Sequence, residues 1–484
     1  MEMPTAPQNR SLYGTNLLFA NLFTSLPIVC LVWSQNNKNI HCPGFNMTSK
    51  KTVRIGCASA FWGDTGGAAF QLVQGGDLDY LVFDYLAEMT LSIMAGAQLK
   101  NPEAGFAPDF IHTLKPLLES IQSKGIKVCS NAGGINARGC AEALASVVEQ
   151  AGLDLVIALV EGDNLVAQQP AFQEARVVDM FSGQALPERL TSANAYLGAP
   201  SVSAALAAGA DIVITGRVVD SALVLGPLVY EFGWSWDDYD RLAQGSLAGH
   251  VIECGTQTTG GNFTDWHLVK DGYANMGFPI VECSEDGSFV VSKPENTGGL
   301  VSCHTVAEQI LYEIGDPEAY LLPDVTCNFR NVSLEQIAVD QVRVTGAKGQ
   351  LPSDQYKVSA TCLDGYRSNA TFMLGGIDAA DKGKVVAHAI IQRVRDIFSR
   401  KGLADFDEVN IEVLGAETTY GAQADCSHAR EVVVKMAVSH QDKKALTVFG
   451  QEIAQAATAM APGITGLVGG RPKPGPRLCL FSFL

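Results

Sequence analysis

The chain has little positive charge for its size. Its 34 Lys and Arg residues stand against 51 Asp and Glu residues, which gives a formal net charge of −17 and a pI of about 4.9. An acidic surface repels phosphate backbones and anionic lipid. We therefore expect neither nucleic acid nor a membrane as a partner, although a local basic pocket for a small anionic ligand stays open.

Several motifs of well-known sites are missing. There is no C-x-x-C pair, and the 12 cysteines are scattered singly, which favours a reducing compartment, and so the cytoplasm, over a disulfide framework. There is also no G-x-G-x-x-G, no Walker loop and no G-x-S-x-G elbow, which disfavours a nicotinamide oxidoreductase and a serine hydrolase of that type.

Metal-binding patterns are weak. His250 and Glu253 lie three residues apart, and on a strand they would face opposite sides, which argues against a shared ligand role. No second histidine-rich cluster completes a zinc set. We therefore assign no metal ligands and leave the cofactor unknown.

Long apolar runs are also scarce. The stretch 17–33 is interrupted by polar residues and is shorter than the ~20 residues that a spanning helix needs. No convincing signal-peptide cleavage site follows it, and Met47 resembles an ordinary start. We expect residues 1–46 to be a disordered extension or one wrongly included ahead of that start, with a weak membrane anchor as the alternative.

What is present is an alternation of short apolar runs with helical stretches between residues 53 and 301. This order predicts an α/β domain with a parallel sheet, either doubly wound or barrel-like. The stretches 167–190 and 251–291 could hold the further strands of a barrel. The predicted strands are Val53–Ala58, Tyr80–Phe83, Ile126–Ser130, Leu155–Leu159 and Asp211–Thr215.

The pattern changes near residues 324–330. Beyond this point strands come in hairpin order, among them 356–363 and 370–374, with two long helices at 379–400 and 443–460. This order predicts a smaller α+β domain with helices on one face of an antiparallel sheet. We therefore expect an α/β domain over residues 47–328 and an α+β domain over residues 329–484.

Each of the five predicted strands ends in a carboxylate, an amide or a glycine-rich turn, where α/β proteins place their ligands. Asp84 and Glu88 could share a helix face and divide acid and base roles or hold a divalent ion; the alternative is a capping aspartate beside a solvated glutamate. Asn131 could orient a carbonyl oxygen. We predict catalytic roles for these three residues.

The remaining strand ends predict substrate contacts. The turn after the first strand could bind an anion through its backbone N–H groups or simply cap a helix, and Arg217 with Asp220 could hold a carboxylate or form a structural ion pair. The turn beside Asn131 could likewise be a plain turn. The predicted substrate-binding residues are Asp64, Gly66, Gly67, Gly133, Gly134, Glu161, Arg217 and Asp220.

The same segments resemble the acyclic terpene utilisation (AtuA) family over nearly all of residues 53–484. The resemblance implies an N-terminal terpene-utilisation domain, a C-terminal ferredoxin-like domain and a link to the breakdown of citronellol- and geraniol-type compounds, which proceeds through acyl-CoA thioesters. It carries over no catalytic residues. The motifs are 55–64, 84–90, 130–134, 216–221, 308–317 and the tail 469–474 with 480–483.

Together these observations predict a catabolic enzyme that acts on a branched acyl-CoA or carboxylate by hydratase, lyase or hydrolytic chemistry. The alternative is an accessory subunit that binds an acyl ligand without turnover. We expect a homo-oligomer with a small-molecule substrate. If Asp84 and Glu88 share an acid/base task, one should stay ionised while the pKa of the other rises.

Overall fold

The computed structural model of this protein describes residues 15–20, 27–33, 52–426, 428–470 and 473–483. The chain divides into two compact units. The first contains residues 1–361 and 478–484, and the second contains residues 362–477. The sequence predicts a boundary near residue 328 instead.

The first unit holds most of the strands. They are β1 (Thr15–Ala20), β2 (Pro27–Trp33), β3 (Thr52–Cys57), β4 (Tyr80–Phe83), β5 (Lys127–Ser130), β6 (Ile157–Glu161), β7 (Ser192–Ala195), β8 (Ile212–Thr215), β9 (Ile280–Ser284), β10 (Phe289–Ser292), β11 (Tyr320–Leu321), β12 (Thr326–Asn328), β13 (Ser333–Ala338), β14 (Gln341–Thr345), β15 (Lys348–Gln350) and the start of β16 (Tyr356–Gly375).

Among the described residues, the same unit has ten α-helices, together with short 3-10 turns such as Gly255–Thr259. The helices are α1 (Gly67–Gly75), α2 (Glu88–Gln98), α3 (Pro108–Leu114), α4 (Leu118–Lys124), α5 (Ala137–Gln150), α6 (Gln169–Glu174), α7 (Pro200–Ala207), α8 (Ala222–Phe232), α9 (Tyr239–Glu253) and α10 (Cys303–Leu311).

Nine of these strands form one mixed sheet, in the order β6-β8-β5-β4-β3-β9-β10-β14-β13, and β2 and β1 extend it beyond β6. The strands from β6 to β3 are parallel, and the pairings from β3 to β13 are antiparallel. The predicted parallel sheet is therefore correct for its five strands but covers only part of the sheet. The order is open, so the barrel-like alternative is wrong.

Helices cover both faces of the parallel strand β4. Every residue of β4 is buried, and α1 and α8 both contact this strand. Leu81 and Phe83 pack with Leu72 of α1 and Phe110 of α3 in the core of the unit. A run of consecutive apolar residues is the pattern expected for such a strand, which is why the sequence located it correctly.

The two stretches that could have supplied barrel strands are built differently. In the range 167–190 the structure has α6 and one isolated bridge, between Val178 and Ala185. In the range 251–291 it has β9 and β10, which are antiparallel to their neighbours. β7 lies outside the large sheet and pairs with β16.

Within residues 1–46, β1 and β2 are strands, and β2 pairs antiparallel with β6. The sequence analysis expects a disordered extension here. The rest of this range lies outside the described residues.

The remaining elements follow β16 in the chain. They are α11 (Ala379–Lys401), β17 (Glu408–Leu414), β18 (Glu431–His440), α12 (Lys443–Ala459), β19 (Ile464–Gly469) and β20 (Lys473–Phe483). The second unit contains an antiparallel sheet in the order β17-β18-β16-β19, with β20 also paired to β16. The predicted strands 356–363 and 370–374 are in fact one strand, β16. Buried in the core of this unit are Val386, Ile390 and Val394, spaced four residues apart on α11, with Phe372 and Phe449.

Candidate functional site

A cavity of about 940 Å³ opens beyond the carboxyl ends of the parallel strands, and all its lining residues belong to the first unit. We call it the strand-end cavity. Loops after β3, β4 and β8 contribute to its wall, as expected for ligand sites in parallel sheets. Its charged lining residues are Asp64, Asp84, Glu88, Arg217, Asp220, Glu253, Glu313 and Lys357.

Asp84 follows β4 directly and is almost fully buried in the cavity wall. Its Oδ1 accepts hydrogen bonds from the side-chain N–H of Asn131 at 2.7 Å and from the backbone N–H of Leu86 at 3.2 Å. Asn131 is fully buried, and its own Oδ1 accepts the backbone N–H of Tyr85 at 2.7 Å. Asn131 therefore holds Asp84 in place, and it does not itself line the cavity.

Arg217 follows β8 and is 3% exposed. Its Nη1 donates to Asp220 Oδ1 and to the backbone oxygen of Leu86, both at 2.7 Å. Its backbone N–H donates to the buried Asp163 at 2.8 Å, and burial raises the pKa of Asp163 to about 6. Nε of Arg217 is buried without a partner in the described part of the chain, so the guanidinium keeps one free donor.

Glu88, the first residue of α2, contacts two donors from distant parts of the chain. The hydroxyl of Tyr196 and Nζ of Lys357, the latter at 2.9 Å, both donate to Glu88 Oε1. Burial alone would raise the pKa of Glu88, but these two contacts lower it to about 2. The ring of Tyr196 also lies 4.1 Å from the guanidinium carbon of Arg217 and 4.6 Å from Lys357 Nζ.

Glu253 reaches the cavity from the last turn of α9, where it pairs with His250. Nδ1 of His250 lies 2.8 Å from Glu253 Oε1, and both side chains are buried. The expectation that the two side chains face opposite sides holds for a strand and is wrong here, because this segment is a helix and positions three apart on a helix share a face. Burial raises the pKa of Glu253 to about 7, although His250 opposes the shift.

Three carboxylates meet in the wall, and we call Asp84, Asp220 and Glu253 the carboxylate cluster. One oxygen from each lies within 4.8 Å of the others. Burial raises the pKa of Asp84, as do Asp220 and, to a smaller extent, Glu253, while Arg217 opposes the shift. The pKa values of Asp84 and Glu88 thus move apart as expected. The charges that raise the pKa of Asp84, however, are those of Asp220 and Glu253 and not that of Glu88. A divalent cation fits such an oxygen-only set.

The remaining predicted residues divide between the cavity and other places. Asp64 lines the cavity and accepts the backbone N–H groups of Ala60 and Thr65. Glu161 instead forms a partly exposed ion pair with Arg138 at 2.7 Å. The predicted glycines do not line the cavity: Gly66, Gly67, Gly133 and Gly134.

Packing explains two of these glycines. A methyl group at Gly133 would lie 2.4 Å from the backbone oxygen of Thr215, and one at Gly134 would lie 2.2 Å from Met94 Sδ. Gly134 also has a φ of +54°, which few other residues adopt. The turn after Asn131 is therefore built for close backbone approach. Gly66 faces a separate shallow pocket beside Asp109 and His112.

Sequence reasoning missed four residues of the site: Asp163, Tyr196, Glu253 and Lys357. The sequence contained a signal for two of them. Asp163 stands in the loop after β6, and His250 with Glu253 has the spacing of a helical pair. Tyr196 and Lys357 lie after β7 and inside β16, where no periodic pattern singled them out.

Large apolar side chains are exposed in the wall of the cavity. Phe61, Met180 and Leu321 line it and are 54%, 48% and 66% exposed, and polar lining residues such as Asn262 and Gln355 are exposed as well. Large exposed apolar side chains beside a polar cavity often mark a ligand-binding groove. The cavity therefore combines exposed apolar side chains with a charged wall.

No helix in the described ranges is long and apolar enough to cross a membrane. The family model described as "acyclic terpene utilisation family protein AtuA" matches residues 53–484. No curated protein and no solved structure matches the chain.

Proposed function

Because the chain belongs to the acyclic terpene utilisation (AtuA) family, we propose that it is a catabolic enzyme of acyclic terpenoid breakdown. Its substrate in this proposal is a branched acyl-CoA thioester or the corresponding carboxylate. The reaction is a hydration, an elimination or a hydrolysis, all of which need an acid and a base near a carbonyl group.

The composition of the strand-end cavity is the observation that carries this proposal. A branched hydrocarbon chain would lie against Phe61, Met180 and Leu321. Removing apolar surface from water stabilises such a complex by roughly 25 cal/mol per Å². The carbonyl end of the substrate would then lie among the charged groups of the wall.

Arg217 is the group that would hold the polar end of the substrate. Its Nη1 is engaged by Asp220 and Leu86, but its buried Nε has no partner in the described residues. An oxygen of a carboxylate or a thioester would satisfy this donor. In this proposal Arg217 has two tasks, one within the wall and one toward the ligand.

Proton transfer is assigned in the proposal to carboxylates of the same wall. Asp84 is held at a defined place by Asn131, and Glu88 is ionised and touches the hydroxyl of Tyr196. A hydroxyl that donates to a carboxylate can pass its proton on and accept another. Tyr196 with Glu88 therefore forms a second acid/base unit that the sequence did not indicate.

Turnover assays with a panel of thioesters and free acids test the proposal. We expect product from branched C10 acyl-CoA thioesters or acids of the citronellyl and geranyl type, followed by mass spectrometry. Asp84→Asn should lower turnover by at least about 100-fold. Glu335→Gln, in an exposed ion pair with Arg343, is the matched control and should retain full turnover.

The competing function is a non-catalytic acyl-binding or accessory subunit. In that case the same panel would show binding, measured by calorimetry, without product for any member. Tight binding without turnover across the panel would therefore replace the enzyme proposal.

We also propose a ferredoxin-like fold for residues 362–477. The order strand–helix–strand–strand–helix–strand from β16 to β19 and the antiparallel order β17-β18-β16-β19 support it. We further propose that the protein is a cytoplasmic homo-oligomer. Ten cysteines of the described ranges, from Cys57 to Cys479, form no disulfide, which supports a reducing compartment. Light scattering tests the oligomeric state.

A further inference from the structure

The carboxylate cluster brings together residues from three separate elements. Asp84 follows β4, Asp220 lies two residues before α8, and Glu253 ends α9. One oxygen of each lies within 4.8 Å of the other two. Oxygen ligands stand about 2.0–2.6 Å from Mg²⁺ or Ca²⁺, so oxygens on opposite sides of one ion are separated by about 4–5 Å. The cluster has the size of a single cation site.

An independent observation at the same place is the hydroxyl of Ser221. This residue follows Asp220, lines the strand-end cavity and is 4% exposed. Its Oγ is buried and has no hydrogen-bond partner among the described residues. A buried hydroxyl without a partner is unfavourable and needs an explanation. A ligand in the cavity would supply the missing contact.

The packing of α9 holds Ser221 beside the cluster. Cβ of Ser221 would lie 2.9 Å from a methyl group at Gly249, so the two residues are in close contact. Glu253 lies four residues after Gly249 and therefore on the same face of α9. Ser221, Asp220 and Glu253 thus belong to one patch of the cavity wall.

Of the three carboxylates in the cluster, Asp84 lacks a positively charged side-chain partner in the described residues. Asp220 pairs with Arg217 at 2.7 Å, and Glu253 pairs with His250 at 2.8 Å. Asp84 accepts amide hydrogen bonds from Asn131 and Leu86, and in the described part of the chain it forms no ion pair. A bound cation would complete the set.

The geometry points to a divalent cation site formed by Asp84, Asp220 and Glu253, with the Ser221 hydroxyl as a further oxygen ligand. An all-oxygen set selects Mg²⁺, Mn²⁺ or Ca²⁺ over zinc. Binding rests on the geometry alone. The role of the cation rests on the proposed function, in which it polarises the substrate carbonyl. Asp84 is then a ligand of the cation. Proton transfer is carried out by Glu88 with Tyr196.

Mn²⁺ binding to the full-length chain, after treatment with a chelator and gel filtration, tests the site directly. Electron paramagnetic resonance should show one bound Mn²⁺ per chain without any substrate. Asp220→Asn and Glu253→Gln keep a hydrogen-bond acceptor for Arg217 and His250, so both should fold. Each should weaken Mn²⁺ binding by about 10–100-fold, the range seen when groups that support a metal site are removed.

Glu335→Gln removes an exposed carboxylate and should bind Mn²⁺ as the wild type does. Ser221→Ala should weaken binding by a smaller factor than the carboxylate variants. Equal Mn²⁺ binding in the wild type, Asp220→Asn and Glu253→Gln would overturn the site, as would no stoichiometric binding at millimolar Mn²⁺.

Turnover separates this inference from the proposed function. Turnover that survives complete chelation would overturn the role of the cation in the reaction and keep the enzyme, while the Mn²⁺ measurements alone decide whether the site exists. Stoichiometric Mn²⁺ binding that the cluster variants abolish, with no turnover on any acyl substrate, would support the site and remove the enzyme proposal.

Discussion

Asn131 donates its side-chain N–H to Asp84 Oδ1 at 2.7 Å and accepts the backbone N–H of Tyr85 at the same distance. One buried amide therefore fixes both the carboxylate and the backbone of the loop after β4. Asn131→Ala leaves two buried groups without these bonds. We expect a loss of about 1–3 kcal/mol in the free energy of unfolding and a lower turnover.

Urea unfolding and the turnover assay check this prediction. Asn410→Ala, at an exposed position of β17, is the control and should change the free energy of unfolding by less than about 0.5 kcal/mol. A wild-type unfolding midpoint for Asn131→Ala would show that this amide does not hold the loop.

The approach of Gly216 to Asp163 gives a second prediction. A methyl group at Gly216 would lie 2.5 Å from both carboxylate oxygens of Asp163. Oδ2 of Asp163 accepts N–H groups from Asn194 and Arg217. Gly216→Ala should therefore destabilise the fold by about 1–3 kcal/mol and displace Arg217.

Gly96→Ala is the matched substitution for this experiment. Gly96 lies inside α2 and has open space around it, so Ala should stabilise the helix by about 0.5–1 kcal/mol. Equal effects of the two substitutions on the urea midpoint would contradict the packing argument.

Tyr196→Phe should change the dependence of stability on pH. The hydrogen bonds from Tyr196 and Lys357 lower the pKa of Glu88 to about 2 against the opposing effect of burial. A depressed carboxyl pKa contributes stability above the unfolded value of about 4, and this contribution is lost as pH falls toward about 2. The variant should lose stability near neutral pH, and the difference from the wild type should shrink below about pH 4.

Thermal unfolding across that pH range measures the difference. Tyr420→Phe, at an exposed ring, controls for the loss of a phenol and should follow the wild type. A constant difference between wild type and Tyr196→Phe at all pH values would mean that the hydroxyl does not act through the charge of Glu88.

Ionisation of Asp324 should affect the free energy of unfolding in the direction opposite to that of Glu88. Burial raises its pKa to about 7, although the backbone N–H of Ala199 donates to its Oδ2 at 2.9 Å. The unfolded chain releases this proton near pH 4 and the folded chain near pH 7, so the group lowers stability as pH rises between these values. Asp324→Asn should be on the order of 1–2 kcal/mol more stabilising at about pH 8 than at about pH 5.5.

Urea midpoints of wild type and variant at the two pH values test this prediction. Asp354→Asn removes a negative charge at an exposed position and controls for net charge. A stabilisation by Asp324→Asn that is equal at both pH values would show that ionisation of this carboxyl is not its cause.

The sequence predicted those parts of the fold where burial leaves a clear pattern. Tyr80–Phe83 is a buried apolar run, and its predicted bounds equal those of β4. In the antiparallel half of the sheet, β13 is not predicted, because it is mostly exposed and has no apolar run. Residues 356–374 were divided in two because Gly365, with a φ of +61° inside β16, resembles a turn residue.

Only part of the site was predicted from the sequence, because only some of its residues lie where a local pattern marks them. Asp84 and Arg217 stand immediately after parallel strands, so the rule on strand ends located them. Glu253 needed the correct assignment of α9 as a helix, although His250 and Glu253 carry its spacing. Lys357 and Tyr196 are brought in by pairing between segments far apart in the chain, which local patterns do not report.

The pairing of β7 with β16 has a consequence for tolerated changes in chain length. The backbone N–H of Tyr196 donates to the oxygen of Lys357 at 2.9 Å, and Val358 stands opposite Ala195. Side chains alternate between the two faces of a strand, so a slip by one residue turns each of them over. A single inserted or deleted residue between β15 and Lys357 could therefore point the ammonium group away from Glu88 while leaving every charged residue of the cavity in the sequence. The length of that connection, and not only its composition, is then part of the binding site.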